Sequence, residues 1–288
     1  MIHSNSEGDI YIEEMPLLLV HLREEEKGGD ARLSEVLSYA LDGYAYETAT
    51  EISAFEDYVN RWRCLEKTQN QKNPVQGRIL FAVPLGTSGI NLELYRLIRF
   101  LREHPDFLNG FVGGLLVDSE NDLYSKSAAK DLVFAANCAG CAFVGRPLVE
   151  GTRTLSNYTI VSNNLGTDLM GAYRESAAGL VKEVLGTDCV RKKCPKVLVL
   201  HASSHKTSNT YAIWNRVKEQ LPEMEIREIG LRNGTLSDCA GCPYKMCLHF
   251  GEQGSCFYGG VMVEDVYPAV READAIVMLC PNYNDALS

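Results

Sequence analysis

The chain has 288 residues, 45% of them hydrophobic, and a formal net charge of −10. That length fits two ordinary domains with a core in each. The acidic balance and the lack of a long Lys/Arg run disfavour nucleic acid, and no apolar run reaches the roughly 18 residues of a membrane helix. The polar start, Met1 to Glu14, lacks the basic and apolar regions of a signal peptide. A cytoplasmic protein is expected, with its ten cysteines reduced and open to metal or redox chemistry.

Two α/β passes are predicted, the first from about Met15 to Asp188. Leu17 to Val20 reads as a strand, Leu33, Val36, Leu37 and Ala40 as one face of a helix, Glu47 to Ile52 as a weak strand, and Phe55 to Leu65 as a helix. Gln69 to Gln76 is a polar loop. Ile79 to Pro84 is a strong strand, and Leu94, Leu97, Ile98 and Leu101 give a helix ending before Pro105. Phe111 to Val117 is a glycine-bearing strand running into an acidic loop, Asp118 to Asp122. Ala128 to Ala136 is helical, Cys141 to Val144 a strand, and Leu169 to Leu185 a closing helix. Cys138 and Cys141 read as small core thiols, and Cys189 to Cys194 as a linker.

The second pass opens with Val197 to Leu200, an all-apolar run suited to a parallel strand buried on both faces. A helix follows with Ile213, Val217 and Leu221 at a spacing of four. Met224 to Ile229 is a second strand, and Val263, Val266, Tyr267 and Val270 mark an amphipathic helix. Ala275 to Cys280 is a third buried strand. This alternation predicts parallel sheets with crossover helices. The domains are placed at 1–190 and 191–288. A diverged tandem repeat is indicated by apolar strands ending in proline (Pro84, Pro281) and in histidine (His21, His201) in the same order.

Three segments of the second pass can carry chemistry. Residues 201–210 join a strand to a helix and hold Ser203, Ser204, Thr207, Ser208, Asn209 and Thr210 together with Lys206. Unpaired N–H groups and the positive dipole end of a helix suit a phosphate, to which the hydroxyls add donors. The loop lacks the glycines of a Walker loop or a dinucleotide fingerprint; an ordinary capped helix is the plain alternative. In the first pass, Glu24, Glu25 and Glu26 occupy the equivalent loop and would repel a phosphate.

Cys239, Cys242, Cys247 and Cys256 form a C-x2-C-x4-C-x8-C array. Such a set can hold a [4Fe–4S] cluster or structural zinc, the latter also as three cysteines with His249, or form a redox-active dithiol. Pro281, Asn282, Tyr283 and Asn284 follow the third strand at the sheet edge where ligands of open α/β folds bind.

Together these segments resemble the NADPH-dependent FMN reductase family of the flavodoxin-like fold, including its iron–sulfur flavoprotein branch. The resemblance rests on Val197 to Thr210, Asp238 to Cys242, Glu272 to Ala275 and Pro281 to Tyr283, with a degenerate copy in the first pass. It implies two flavodoxin-like doubly wound parallel sheets in tandem, strand order 2-1-3-4-5, the second sheet incomplete after its third strand. It implies FMN held by Ser203, Ser204, Thr207, Ser208, Asn209 and Thr210 at the phosphate and by Pro281, Asn282, Tyr283 and Asn284 at the ring. The implied activity is NAD(P)H-dependent FMN oxidoreduction with electron transfer to an unknown acceptor; the alternative is a non-enzymatic metal- or cluster-binding module on the same scaffold. An intrachain pseudo-dimer or a homo-oligomer is expected. So is a missing remainder of the second domain, either because the chain is a fragment or because another chain completes it.

Overall fold

The computed structural model describes residues 2–4, 10–12, 15–21, 30–68, 76–189, 192–202, 208–231, 236–280, 282–283 and 286–287. The chain divides into two compact units, Met1–Cys189 and Val190–Ser288. No helix among the described residues is long and apolar enough to cross a membrane.

Unit 1 begins with a short antiparallel pair, β1 (Ile2–Ser4) and β2 (Ile10–Ile12). Then come β3 (Leu17–His21), α1 (Asp30–Ala40), β4 (Tyr46–Ala49), α2 (Ile52–Thr68), β5 (Gly77–Leu85) and α3 (Leu92–Glu103). The unit continues with β6 (Phe111–Ser119), α4 (Ser125–Cys138), β7 (Ala142–Gly151), a 3-10 turn at Ser156–Tyr158, α5 (Thr159–Leu165) and α6 (Leu169–Gly186). Strands β3 to β7 form one parallel sheet in the order β4-β3-β5-β6-β7, which is 2-1-3-4-5 in chain order.

Alternation along the strands explains the layers. Leu18, Val20, Ile79, Phe81 and Val83 point to the face covered by α2, α3 and α4, whereas Leu17, Leu19, Leu80 and Ala82 meet α1 and α6 on the other. Both faces are therefore apolar, and β5 and β6 are buried almost throughout. Gly114 lets α6 approach β6 closely: a Cβ there would come within 2.7 Å of Val184 Cγ2.

Unit 2 contains β8 (Lys196–His201), α7 (Asn209–Lys218), β9 (Glu225–Gly230), α8 (Tyr244–Gly251), a π-helical turn at Met262–Val266, α9 (Tyr267–Glu272) and β10 (Ala275–Leu279). A two-residue pair, β11 (Asn282–Tyr283) with β12 (Ala286–Leu287), follows. The sheet has three parallel strands in the order β10-β8-β9, so its first strand lies between the second and the third, as in unit 1.

The two units also share a register. In unit 1 Leu18 pairs with Ile79 and His21 with Ala82. In unit 2 Leu198 pairs with Ile276 and His201 with Leu279. Aligning the two strand-end histidines superposes Ile79 on Ile276, the same correspondence that the proline endings give.

Several expectations need correction. Asp118 belongs to β6 rather than to an acidic loop, and it is buried. The strand expected at Cys141 to Val144 runs from Ala142 to Gly151, and the weak strand expected to reach Ile52 ends at Ala49. The helix around Val263 to Val270 is a π turn followed by α9, because Pro268 lacks the N–H that would bond back to Glu264. Cys138 is exposed, so only Cys141 of that pair is a core thiol.

In α7 the buried side chain is Trp214, while Ile213 and Val217 are 64% and 44% exposed. The third strand is not buried on both faces. Val277 and Leu279 join the small core of Val197, Val199 and Trp214, but Ile276 is 47% and Met278 66% exposed. β10 pairs with β8 alone among the described residues, which leaves it an edge strand.

Candidate functional site

The site in unit 2 is built by the sheet. His201 ends β8 and Leu279 lies opposite it on β10. Parallel neighbours sit about 4.8 Å apart. Ala202 and Cys280, which follow these two strands, therefore stand beside each other at the carboxyl edge, where an open α/β sheet binds ligands.

After β8, Ser208 is the N-cap of α7, and its hydroxyl oxygen accepts a hydrogen bond from Tyr211 N at 3.3 Å. Capping uses the oxygen as an acceptor, so the O–H proton stays available to donate to an anion. Asn209 and Thr210 are exposed in the first turn of α7, whose N–H groups have no partner within the helix. Ser203, Ser204 and Thr207 lie outside the described residues. After β10, Pro281 and Asn284 also lie outside them, and Asn282 and Tyr283 are placed by backbone in β11. A helix N-terminus with a capping hydroxyl at this edge fits the phosphate of a flavin mononucleotide.

A polar cluster missed by sequence reasoning anchors this edge. Glu228 on β9 accepts hydrogen bonds from Tyr211 Oη at 2.7 Å, Trp214 Nε1 at 3.2 Å and Lys218 Nζ at 2.8 Å. Burial opposes the Glu228 charge, but Lys218, Tyr211 and Trp214 outweigh it and hold the carboxyl below its usual range. The Tyr211 ring lies 5.0 Å from the His201 ring. His201 Nδ1 is buried and has no hydrogen-bond partner among the described residues. The only signal for this cluster was the spacing of Tyr211, Trp214 and Lys218, which falls on one helix face.

All four cysteines of the array line one cavity of about 360 Å³, together with Met246, Phe250 and Phe257. Gly241 and Gly254 take left-handed φ values of 68° and 65°, which lets the segment turn on itself between and beside the cysteines. His249 does not line this cavity. No three His, Cys, Asp or Glu side chains among the described residues converge closely enough to hold a single metal ion.

Residues 195–288 match the family model of the NADPH-dependent FMN reductases. The match is about a third of the chain and begins at the strand that opens the second unit. No curated protein matches the chain. The matched segment holds residues 201–210, the cysteine array and the strand ending at Leu279 in one unit.

The corresponding edge of unit 1 is built differently. Glu24, Glu25 and Glu26 lie outside the described residues. At the end of β6 the buried Asp118 receives a bidentate hydrogen bond from Arg32 on α1, with Nε–Oδ2 and Nη2–Oδ1 both at 2.9 Å, and another from Tyr173 Oη at 3.0 Å. Burial pushes the Asp118 carboxyl above its usual range even though Arg32 and Tyr173 favour its charge. Arg32 also donates to the carbonyls of Ser119 and Arg153. These groups satisfy one another and stitch α1 and α6 to the strand ends.

Proposed function

We propose that the chain is an NAD(P)H-dependent FMN oxidoreductase that passes electrons onward, with FMN and a [4Fe–4S] cluster both carried by unit 2. The observation that carries this reading is the pairing of His201 with Leu279 inside the segment matched by the FMN reductases, since it sets the ends of β8 and β10 side by side at one sheet edge. Ser208, Asn209 and Thr210, with Ser203, Ser204 and Thr207, would hold the phosphate, and Pro281, Asn282, Tyr283 and Asn284 would border the ring. Bound FMN would supply hydride acceptance from the nicotinamide and one-electron release. The protein's part is to bind, orient and shield.

The cluster in this reading rests on the cavity that the four cysteines share. Around one zinc ion, Zn–S bonds of about 2.3 Å force thiolates to roughly 3.8 Å from one another. A [4Fe–4S] cluster binds each thiolate to a different iron and so holds them farther apart. All four cysteines line one cavity, which supports a group that all four would ligate together. The absence of His249 from the lining counts against a three-cysteine, one-histidine zinc site.

Unit 1 is read as a degenerate copy of the flavin domain. The shared strand order and register support this, and the three consecutive carboxylates at its first loop argue against phosphate binding there.

Cofactor content tests the proposal. Anaerobically purified chain should carry FMN that denaturation releases, along with about four iron and four acid-labile sulfide per chain. Cys242→Ala should abolish iron and sulfide while leaving added FMN able to bind. Zinc in place of iron would overturn the cluster assignment. Metal with no affinity for FMN would favour the binding-module alternative.

A further inference from the structure

The first turn of α7 must be held still if its N–H groups are to bind a phosphate, and one buried side chain, Trp214, anchors that helix. Trp214 is the one buried side chain of α7, and Ile213 and Val217 face solvent. A helix anchored by Trp214, with Tyr211 half-buried against the same small core, can still pivot about that short contact. The Glu228 carboxylate supplies the contacts that prevent this: it takes the Tyr211 hydroxyl one turn before Trp214, and the Lys218 ammonium one turn after it. Lys218 is about half exposed, so its ion pair contributes little. The Tyr211 contact acts at the end that matters, because Tyr211 N also bonds the capping Ser208 and the Tyr211 ring rests against His201 at the end of β8. Gly230 leaves room for that imidazole: a Cβ there would come within 3.3 Å of His201 Cε1.

We propose that Tyr211, held by Glu228, is a positioning residue for the flavin phosphate: it fixes the first turn of α7 against His201, and with it the N–H groups that face the phosphate. This rests on the flavin reading of unit 2. Tyr211 need not touch the flavin. Its effect falls on the phosphate and not on the ring, so it sets the preference for FMN over riboflavin, which has the same ring and no phosphate.

The test compares FMN and riboflavin binding to the full chain by flavin fluorescence. Tyr211→Phe keeps the ring beside His201 and removes only the hydroxyl. FMN should bind about three- to tenfold more weakly, the yield of one lost net hydrogen bond, while riboflavin affinity stays within about twofold. Glu228→Gln retains a carbonyl acceptor for Tyr211 and should keep the preference for FMN. Lys218→Met, which removes the partner at the far end of the helix, should leave the preference unchanged. A Tyr211→Phe chain that keeps the wild-type ratio of the two affinities, or weakens both flavins equally, would overturn the positioning role alone. A wild-type chain that binds neither flavin would overturn the flavin reading, and this inference with it.

Discussion

Replacing Asp118 with alanine is expected to cost unit 1 about 3 kcal/mol of stability. Removing one partner of a buried ion pair typically costs about 3–5 kcal/mol, because the other is left charged without compensation. Arg32 keeps 27% of its side chain exposed, which places the cost at the lower end of that range. The loss extends beyond Arg32, since Tyr173 Oη is buried against the same carboxylate and would also lose its acceptor. Thermal or urea unfolding of unit 1 in the full chain measures the effect; a change below about 1 kcal/mol would show that the cluster is dispensable. The pH dependence has a definite sign. Burial raises the folded-state pKa of Asp118 above its ordinary value of 3.8, so the folded state takes up the proton first. Stability from this group therefore rises as pH falls through that window, and acidification from neutrality does not weaken unit 1 through Asp118.

Trp214→Ala is expected to cost unit 2 about 3–5 kcal/mol, the usual range for an aromatic-to-alanine change in a core. The consequence is larger here than in unit 1. The core cluster of unit 2 has three buried members, Val197, Val199 and Trp214, whereas each face of the unit 1 sheet carries a long run of buried side chains. The substitution also removes the indole N–H that Glu228 accepts. Since stability of a whole domain is only about 5–15 kcal/mol, flavin binding should be lost together with the fold of unit 2, while unit 1 melts as before. Circular dichroism with flavin titration separates the two units. Undiminished flavin binding by Trp214→Ala would show that the small core does not support the site.

What was legible in the sequence follows from local chemistry. Ile79 to Pro84 reads as a strand because six consecutive residues avoid polar side chains, and a central parallel strand requires that. The grouping of the four cysteines is legible because they fall within one short segment; they line one cavity, and that they bind a cluster belongs to the proposal. The Asp118 cluster was not legible. A carboxylate after an apolar run reads as the start of a loop, and its partner Arg32 is 86 residues away. The segment from Ser156 to Leu165 was missed as helix because its Ser, Thr and Asn residues give no apolar period, and these types favour turns as readily. The four-residue spacing of Ile213 and Val217 marks a real helix but not its buried face, which Trp214 provides. Glu228 was hidden for a similar reason: nothing in a short strand says that three donors from the preceding helix will meet there.

The most direct measurement is reduction of chain-bound FMN by NADPH under anaerobic conditions, followed by absorbance at the flavin band. The chain should bind FMN with a spectrum distinct from the free flavin, and NADPH should bleach that band faster than it bleaches free FMN at the same concentration. A chain that leaves the FMN spectrum unchanged, or that binds FMN without accelerating its reduction by NADPH or NADH, would contradict the assignment of unit 2 as a flavin-dependent oxidoreductase.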